Sequence, residues 1–98
     1  MRRILTSVLS IIKMLTLTRK PGESIKVGND IIITVNEIAD KKATLSVKDQ
    51  EDQVITLGHG ESTMLTADIK VILKSITNRV SLCIEAPAEV RIERETNV

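Results

Sequence analysis

The sequence contains no phenylalanine, tyrosine or tryptophan. That excludes binding single-stranded nucleic acid by stacking bases on aromatic rings. Any nucleic-acid contact would have to use arginine, lysine, backbone groups and aliphatic surface. The single cysteine, Cys83, has no partner for an internal disulfide, and no Cys/His group stands at metal-ligand spacing. A lone thiol fits a reducing, cytoplasmic compartment. By its alternation with Leu82 and Ile84, Cys83 reads as a small hydrophobe on one face of a sheet. The single histidine, His59, lies between Gly58 and Gly60 with no second ligand or nucleophile, so it reads as a turn residue. Gly58-x-Gly60 lacks the further Gly and Lys, and the helix, of a phosphate loop. The carboxylates are scattered through turns, with no pair placed for acid–base work. No cofactor, metal or enzymatic activity is expected. The formal net charge is +1, so no global basic field announces a polyanionic partner, although a local patch is compatible with that balance.

What is present is aliphatic and β-forming. The chain has 98 residues and is 42% hydrophobic, enough for one domain or for two small units sharing one core. Its Ile, Val and Thr favour strands. The N-terminus, "MRRILTSVLSIIK", has the Arg2-Arg3 start of a signal peptide. Its apolar stretch is short, however, Lys13 ends it, and no small-residue cleavage site follows. It is also too short to span a bilayer, which takes about 20 apolar residues. Ile4, Val8, Ile11 and Ile12 have helical spacing and could make a short contacting helix. The expectation is a poorly ordered extension over 1–13, followed by a single β domain over 14–98, with no membrane span.

From Met14 the pattern is strand and turn. Leu15 and Leu17 alternate with Thr16 and Thr18, and Pro21-Gly22 marks a turn. Ile25 and Val27, then Ile31, Ile33 and Val35, then Ala43, Leu45 and Val47 form successive apolar faces. Asp40-Lys41-Lys42 reads as a hairpin tip and "DQEDQ", 49–53, as a polar loop. The pattern then restarts. A shift of 38 residues aligns Thr18 with Thr56, Gly22-Glu23-Ser24 with Gly60-Glu61-Ser62, and Asp30-Ile31 with Asp68-Ile69. One residue is lost at the Thr77-Asn78-Arg79 tip, after which Leu45 meets Leu82. Val90 to Arg94 reads as the last strand. The repeats run about 14–53 and 54–98, each too small for an independent core, so both should pack into one β body.

The stretch "MLTLTRKPGESIKVGNDIIITV" and the ending "NRVSLCIEAPAEVRIERE" together resemble the carbon storage regulator (CsrA/RsmA) family of bacterial RNA-binding translational regulators. The resemblance implies an all-β fold of intertwined antiparallel sheets, in which a homodimer of five-stranded chains places the first strand of one subunit beside the last strand of the other. It implies no catalysis, and binding of GGA triplets displayed in RNA hairpin loops. By position, the family's first-strand RNA contacts fall on Leu17, Thr18, Arg19 and Lys20. The Ala-Pro turn falls on Ala86 and Pro87. The last-strand contacts fall on Val90, Ile92, Arg94 and Glu95. Arginine suits such a site because it can form paired hydrogen bonds with phosphate or with the O6/N7 edge of guanine. Leu17 and Ile92 would offer apolar surface to a base.

The chain also departs from the family pattern. It is longer than the family's roughly sixty residues, and the extra length is the repeat. Asp49-Gln50 stands where the first repeat would carry Ala-Pro, and "VITL", 54–57, can be read as the last strand of one repeat or the first strand of the next. The expected architecture is therefore a fused single-chain pseudo-dimer. One intact site would join Arg19 and Arg94. A counterpart site would lack its arginines and be edged by Asp49, Glu51 and Asp52. The expected partner is mRNA or small regulatory RNA with GGA motifs, not DNA, with homodimers or heterodimers with a family member left open. The alternative is a protein-interaction or antagonist module that pairs with a conventional family member through exposed strand edges.

Overall fold

The computed structural model describes residues 12–49 and 51–95. Within them the two-residue alternation of Ile, Val and Leu builds nine strands and no helix. In chain order these are β1 (Ile12–Arg19), β2 (Ser24–Val27), β3 (Ile31–Ala39), β4 (Lys42–Lys48) and β5 (Asp52–Gly58). They continue with β6 (Ser62–Met64), β7 (Lys70–Ile76), β8 (Val80–Pro87) and β9 (Ile92–Glu95). The chain is all-β, as the pattern predicts.

The strands form two antiparallel sheets, ordered β9-β2-β3-β4-β5 and β1-β8-β7-β6. Each sheet combines strands from both ends of the chain. β1 pairs along its whole length with β8, placing Leu17 opposite Leu82 and Arg19 opposite Val80. β9 returns to β2, placing Ile92 opposite Val27. The buried faces share one core, in which Ile25, Ile33, Leu45, Leu73, Leu82 and Ile84 are fully buried.

Residues 38 apart make the same hydrogen bonds. The Gly22 N–H donates to the Val35 carbonyl (2.7 Å), and the Gly60 N–H donates to the Leu73 carbonyl (2.8 Å). The Val35 N–H donates to the Glu23 carbonyl (3.0 Å), and the Leu73 N–H donates to the Glu61 carbonyl (2.9 Å). The Glu23 carboxylate accepts from the Lys20 N–H (2.9 Å), and the Glu61 carboxylate accepts from the Gly58 N–H (2.6 Å). Gly22 and Gly60 have φ of 93° and 80°, which only glycine adopts without strain. Both long strands slip register at the equivalent place, between Val35 and Glu37 and between Leu73 and Ser75. The Gly-Glu-Ser motif is thus a turn device, with the glycine supplying the backbone angle and the glutamate tying the turn's entry.

The position of β5 resolves the two readings of "VITL". β5 lies beside β4 with Ile55 opposite Leu45, just as β1 lies beside β8 with Leu17 opposite Leu82. It therefore stands where a first strand stands, at the sheet edge farthest from β9.

Boundaries differ from the sequence reading in three places. Asp52 and Gln53 belong to β5 rather than to the preceding loop, because pairing with Lys48 and Val47 extends the hairpin. The last strand begins at Ile92, because the Val90 N–H closes a turn onto the Pro87 carbonyl (3.0 Å). Ile12 and Lys13 lie in β1 opposite Pro87 and Ala86. The rest of the expected extension, 1–11, lies outside the described residues.

Leu82 sits between Leu17 and Leu73 across three adjacent strands. Leu82→Ala is expected to cost about 2–5 kcal/mol in denaturant unfolding. Asp40 and Lys41 both have positive φ (55° and 64°) at their hairpin tip, without glycine. Lys41→Gly is expected to raise stability by up to about 1 kcal/mol, because the left-handed angle costs a side-chain-bearing residue more.

Candidate nucleic-acid interface

β1 and β9 are each an outer strand of their own sheet. The expected Ala86-Pro87 turn falls later: both residues end β8, paired with Lys13 and Ile12, and β9 follows through the turn at 88–91, fastened at its start by the Gly28 N–H, which donates to the Arg91 carbonyl (2.6 Å). Its end reaches the register of Ser24, opposite Glu95. Ser24 is also where β1's last residue arrives: Arg19 Nη1 donates to the Ser24 carbonyl (3.3 Å) and Nε donates to the Thr18 carbonyl (3.1 Å). One guanidinium thus ties the end of β1, in one sheet, to the strand that carries β9 in the other.

The structure sorts the expected contact residues. Arg19 is 8% exposed, and its Nη2 also pairs with Glu23 at 3.6 Å. It is a strut within the corner, not a free cation. Leu17, Ile92 and Ala86 are buried in the core, so the expectation that Leu17 and Ile92 offer apolar surface to a base is corrected: alternation turns both inward. Thr18 is exposed and shares a hydroxyl hydrogen bond with Ser81 (3.1 Å). Lys20 is exposed, and Pro87, Val90 and Glu95 are partly exposed.

Arg94 has the most available head group. It lies opposite buried Ile25 and so shares the inner face of β9 with Ile92, but at the exposed rim between the sheets. Among the described residues it makes no hydrogen bond or ion pair. Arg91, by contrast, lies 3.9 Å from Glu93 in a largely solvated pair. Arg79 joins the same corner. It precedes Val80, the partner of Arg19, and its charge acts on Glu23. Sequence reading left Arg79 in a hairpin tip; only the pairing of β1 with β8 brings it beside Lys20. The corner therefore gathers Arg19, Lys20 and Arg79 around Glu23, with Arg94 on the strand paired to Ser24 and Ile25.

The equivalent corner of the other half has Leu57 and Gly58 in place of Arg19 and Lys20, although Lys42 lies opposite Gly58. Asp49, Glu51 and Asp52 are exposed at the far end of β5. Among the described residues no group of His, Cys, Asp and Glu could hold a metal, and no helix is long and apolar enough to cross a membrane.

Among the described residues β1 and β9 are thus outer strands of different sheets, joined at this basic corner through Arg19 and Ser24. Residues 14–56, from β1 into β5, match the model of the CsrA family, a global regulator protein family. That family is one of non-enzymatic regulators that in general bind RNA. No curated protein and no solved structure matches the chain.

The Lys20 N–H is the main cause holding the Glu23 carboxyl below its ordinary 4.5; desolvation opposes it, and the Arg19, Lys20 and Arg79 charges add to it. A carboxylate favoured in this way contributes stability above its ordinary value and loses it as pH falls through the lower folded-state value. Glu23→Gln is expected to lower the melting temperature at pH 7. The gap from the parent should close on acidification below about pH 4. A gap of equal size at pH 7 and pH 3 would refute this account of Glu23.

Proposed function

We propose that this chain is a cytoplasmic post-transcriptional regulator that binds GGA-containing hairpin loops near ribosome-binding sites, in mRNA or in small regulatory RNA, and so modulates translation or mRNA stability. Its RNA site is the corner of β1 and β9. The observation that carries this reading is Arg94, exposed and unpaired among the described residues, one ladder position from Ser24, whose carbonyl holds Arg19. Its fork suits the guanine O6/N7 edge or a phosphate. Lys20 and Arg79 add phosphate attraction, and the open edges of β1 and β9 offer backbone donors and acceptors that need no aromatic ring. Arg19 acts from behind as a positioning residue. Thr18, Pro87, Val90 and Glu95 border the same edge strands, and the buried Leu17, Ala86 and Ile92 hold them in place.

On this reading the two halves are repeats of one β-unit, fused into a pseudo-dimer over 14–98. The counterpart corner, with Leu57 and Gly58 where Arg19 and Lys20 stand, lacks those two cations and attracts phosphate less. One RNA element binds per chain.

Titration calorimetry with a GGA hairpin and a scrambled-loop control tests this. The expected stoichiometry is one hairpin per chain. Arg94→Ala should weaken binding by about 5- to 150-fold, equivalent to about 1–3 kcal/mol, and narrow the difference between GGA and control. Lys20→Ala should weaken both hairpins alike and reduce the salt dependence by about one ion. Two equal sites per monomeric chain, or unchanged affinity on Arg94→Ala, would sink the proposal. Pairing with a conventional family member without RNA binding would favour the antagonist reading instead.

A further inference from the structure

The two sheets are unequal: one has five strands, the other four. The difference falls at one place. Among the described residues β2 has β9 on its outer side, whereas its equivalent β6 has no strand there. Between β6 and β5, the edge of the other sheet, lies an open cleft of about 630 Å³ lined by residues that include Ile55, Leu57, Glu61, Ser62 and Thr63. Shifted by 38, these are Leu17, Arg19, Glu23, Ser24 and Ile25, and β9 lies directly against the last two. The cleft is therefore the position that β9 fills in the other half.

Backbone and side chains there are set for a strand. The Glu61 carbonyl accepts from Leu73 and the Leu65 N–H donates to the Ile69 carbonyl, so residues 61, 63 and 65 turn their backbone groups toward β7. By alternation, those of Ser62 and Met64 turn outward. The filled half has the same parity: the Glu23 carbonyl faces β3, while the Gly28 N–H faces β9. Apolar surface is also left uncovered. Leu17 and Val27 are buried, but their equivalents Ile55 and Leu65 are only partly so, and Met64 is 53% exposed.

We propose that this cleft is a binding site for an extended strand of a separate polypeptide, which adds antiparallel to Ser62–Met64 and completes the second sheet. The occupant's chemistry is read from the filled cleft: apolar opposite Leu65, as Ile92 is opposite Val27, then charged residues of alternating sign as in "IERE". The site is separate from the RNA corner and does not depend on that reading.

The test uses the intact chain and a labelled synthetic peptide of residues 88–98, monitored by anisotropy and hydrogen exchange. Saturable binding of one peptide per chain is expected. Slowed amide exchange is expected at Ser62 and Met64 and not at β9, and a GGA hairpin should leave those two amides unchanged. Met64→Pro removes one outward N–H from an edge strand, where proline is tolerated, and should weaken binding at least tenfold. If that variant does not fold, the exchange pattern of the unmodified chain decides. No binding at millimolar peptide, equal binding to Met64→Pro, or protection elsewhere overturns the proposal. So does a solution mass that is double for the parent and single for Met64→Pro, which would make a second copy the occupant. Binding that appears only after deletion of residues 1–11 overturns it as well, since the chain would then fill its own cleft.

Discussion

The pairing of β1 with β8 is the constraint on which the rest depends. Leu17 finds its ladder partner at Leu82, most of the chain away, while its sequence neighbours in β2 to β4 lie in the other sheet. Neither half can close its own sheet: the first lends β1 and takes back β5 and β9. Contacts so distant in sequence are slow to form, because loop closure precedes any gain from packing. The same crossing makes the functional corner. Arg19, Ser24, Arg79 and Arg94 come from four separate segments, and they meet only when both sheets are complete.

Comparing the two corners separates what the turn requires from what a ligand requires. Gly22 and Gly60 share the left-handed angle, and Glu23 and Glu61 tie the same turn, so these positions are kept by backbone geometry. Arg19 and Leu57 differ in chemistry but not in burial, since both are nearly inaccessible. The guanidinium at 19 spans the corner by hydrogen bonds to two carbonyls, whereas the leucine at 57 joins the apolar core. Exchanging one for the other replaces a polar strut with packing at about the same depth. Lys20 is exposed whereas Gly58 is buried beside the Glu61 and Lys42 side chains, and that contrast bears more directly on ligand binding.

The strands were legible because their signal is local. The period-two faces, the turns at Gly22 and Gly60 and the 38-residue repeat are all visible in the sequence. Strand partners were less so, since β5 carries the same alternation whether it ends one repeat or begins the next; its pairing with Leu45 decides. The site was half legible. Resemblance brought Arg19 and Arg94 together, but it could not tell a buried strut from an exposed fork, because burial depends on the neighbouring sheet. Alternation in β9 places Arg94 on the face of Ile92, and only its position at the sandwich rim leaves it exposed. Arg79 was missed because hairpin tips are charged for many reasons, and its neighbour Val80 meets Arg19 only through the long-range ladder.

A symmetric dimer must build its two sites alike, since each residue change appears in both. A single chain with two similar halves is free of that rule. Here the differences are concentrated: Leu57 and the outer edge of β6 border one cleft, with Gly58 next in the chain, while the core on either side of it repeats. An unpaired strand edge invites unwanted pairing, and proteins shorten, charge or cover such edges. β6 is short, at three residues, but Met64, 53% exposed, leaves apolar surface on it rather than charge. Shortening limits how much foreign strand can pair there, and the exposed apolar side chain favours one that does. That combination distinguishes a selective edge from a neglected one, and it is the physical reason for reading the second cleft as altered in its partner rather than simply lost.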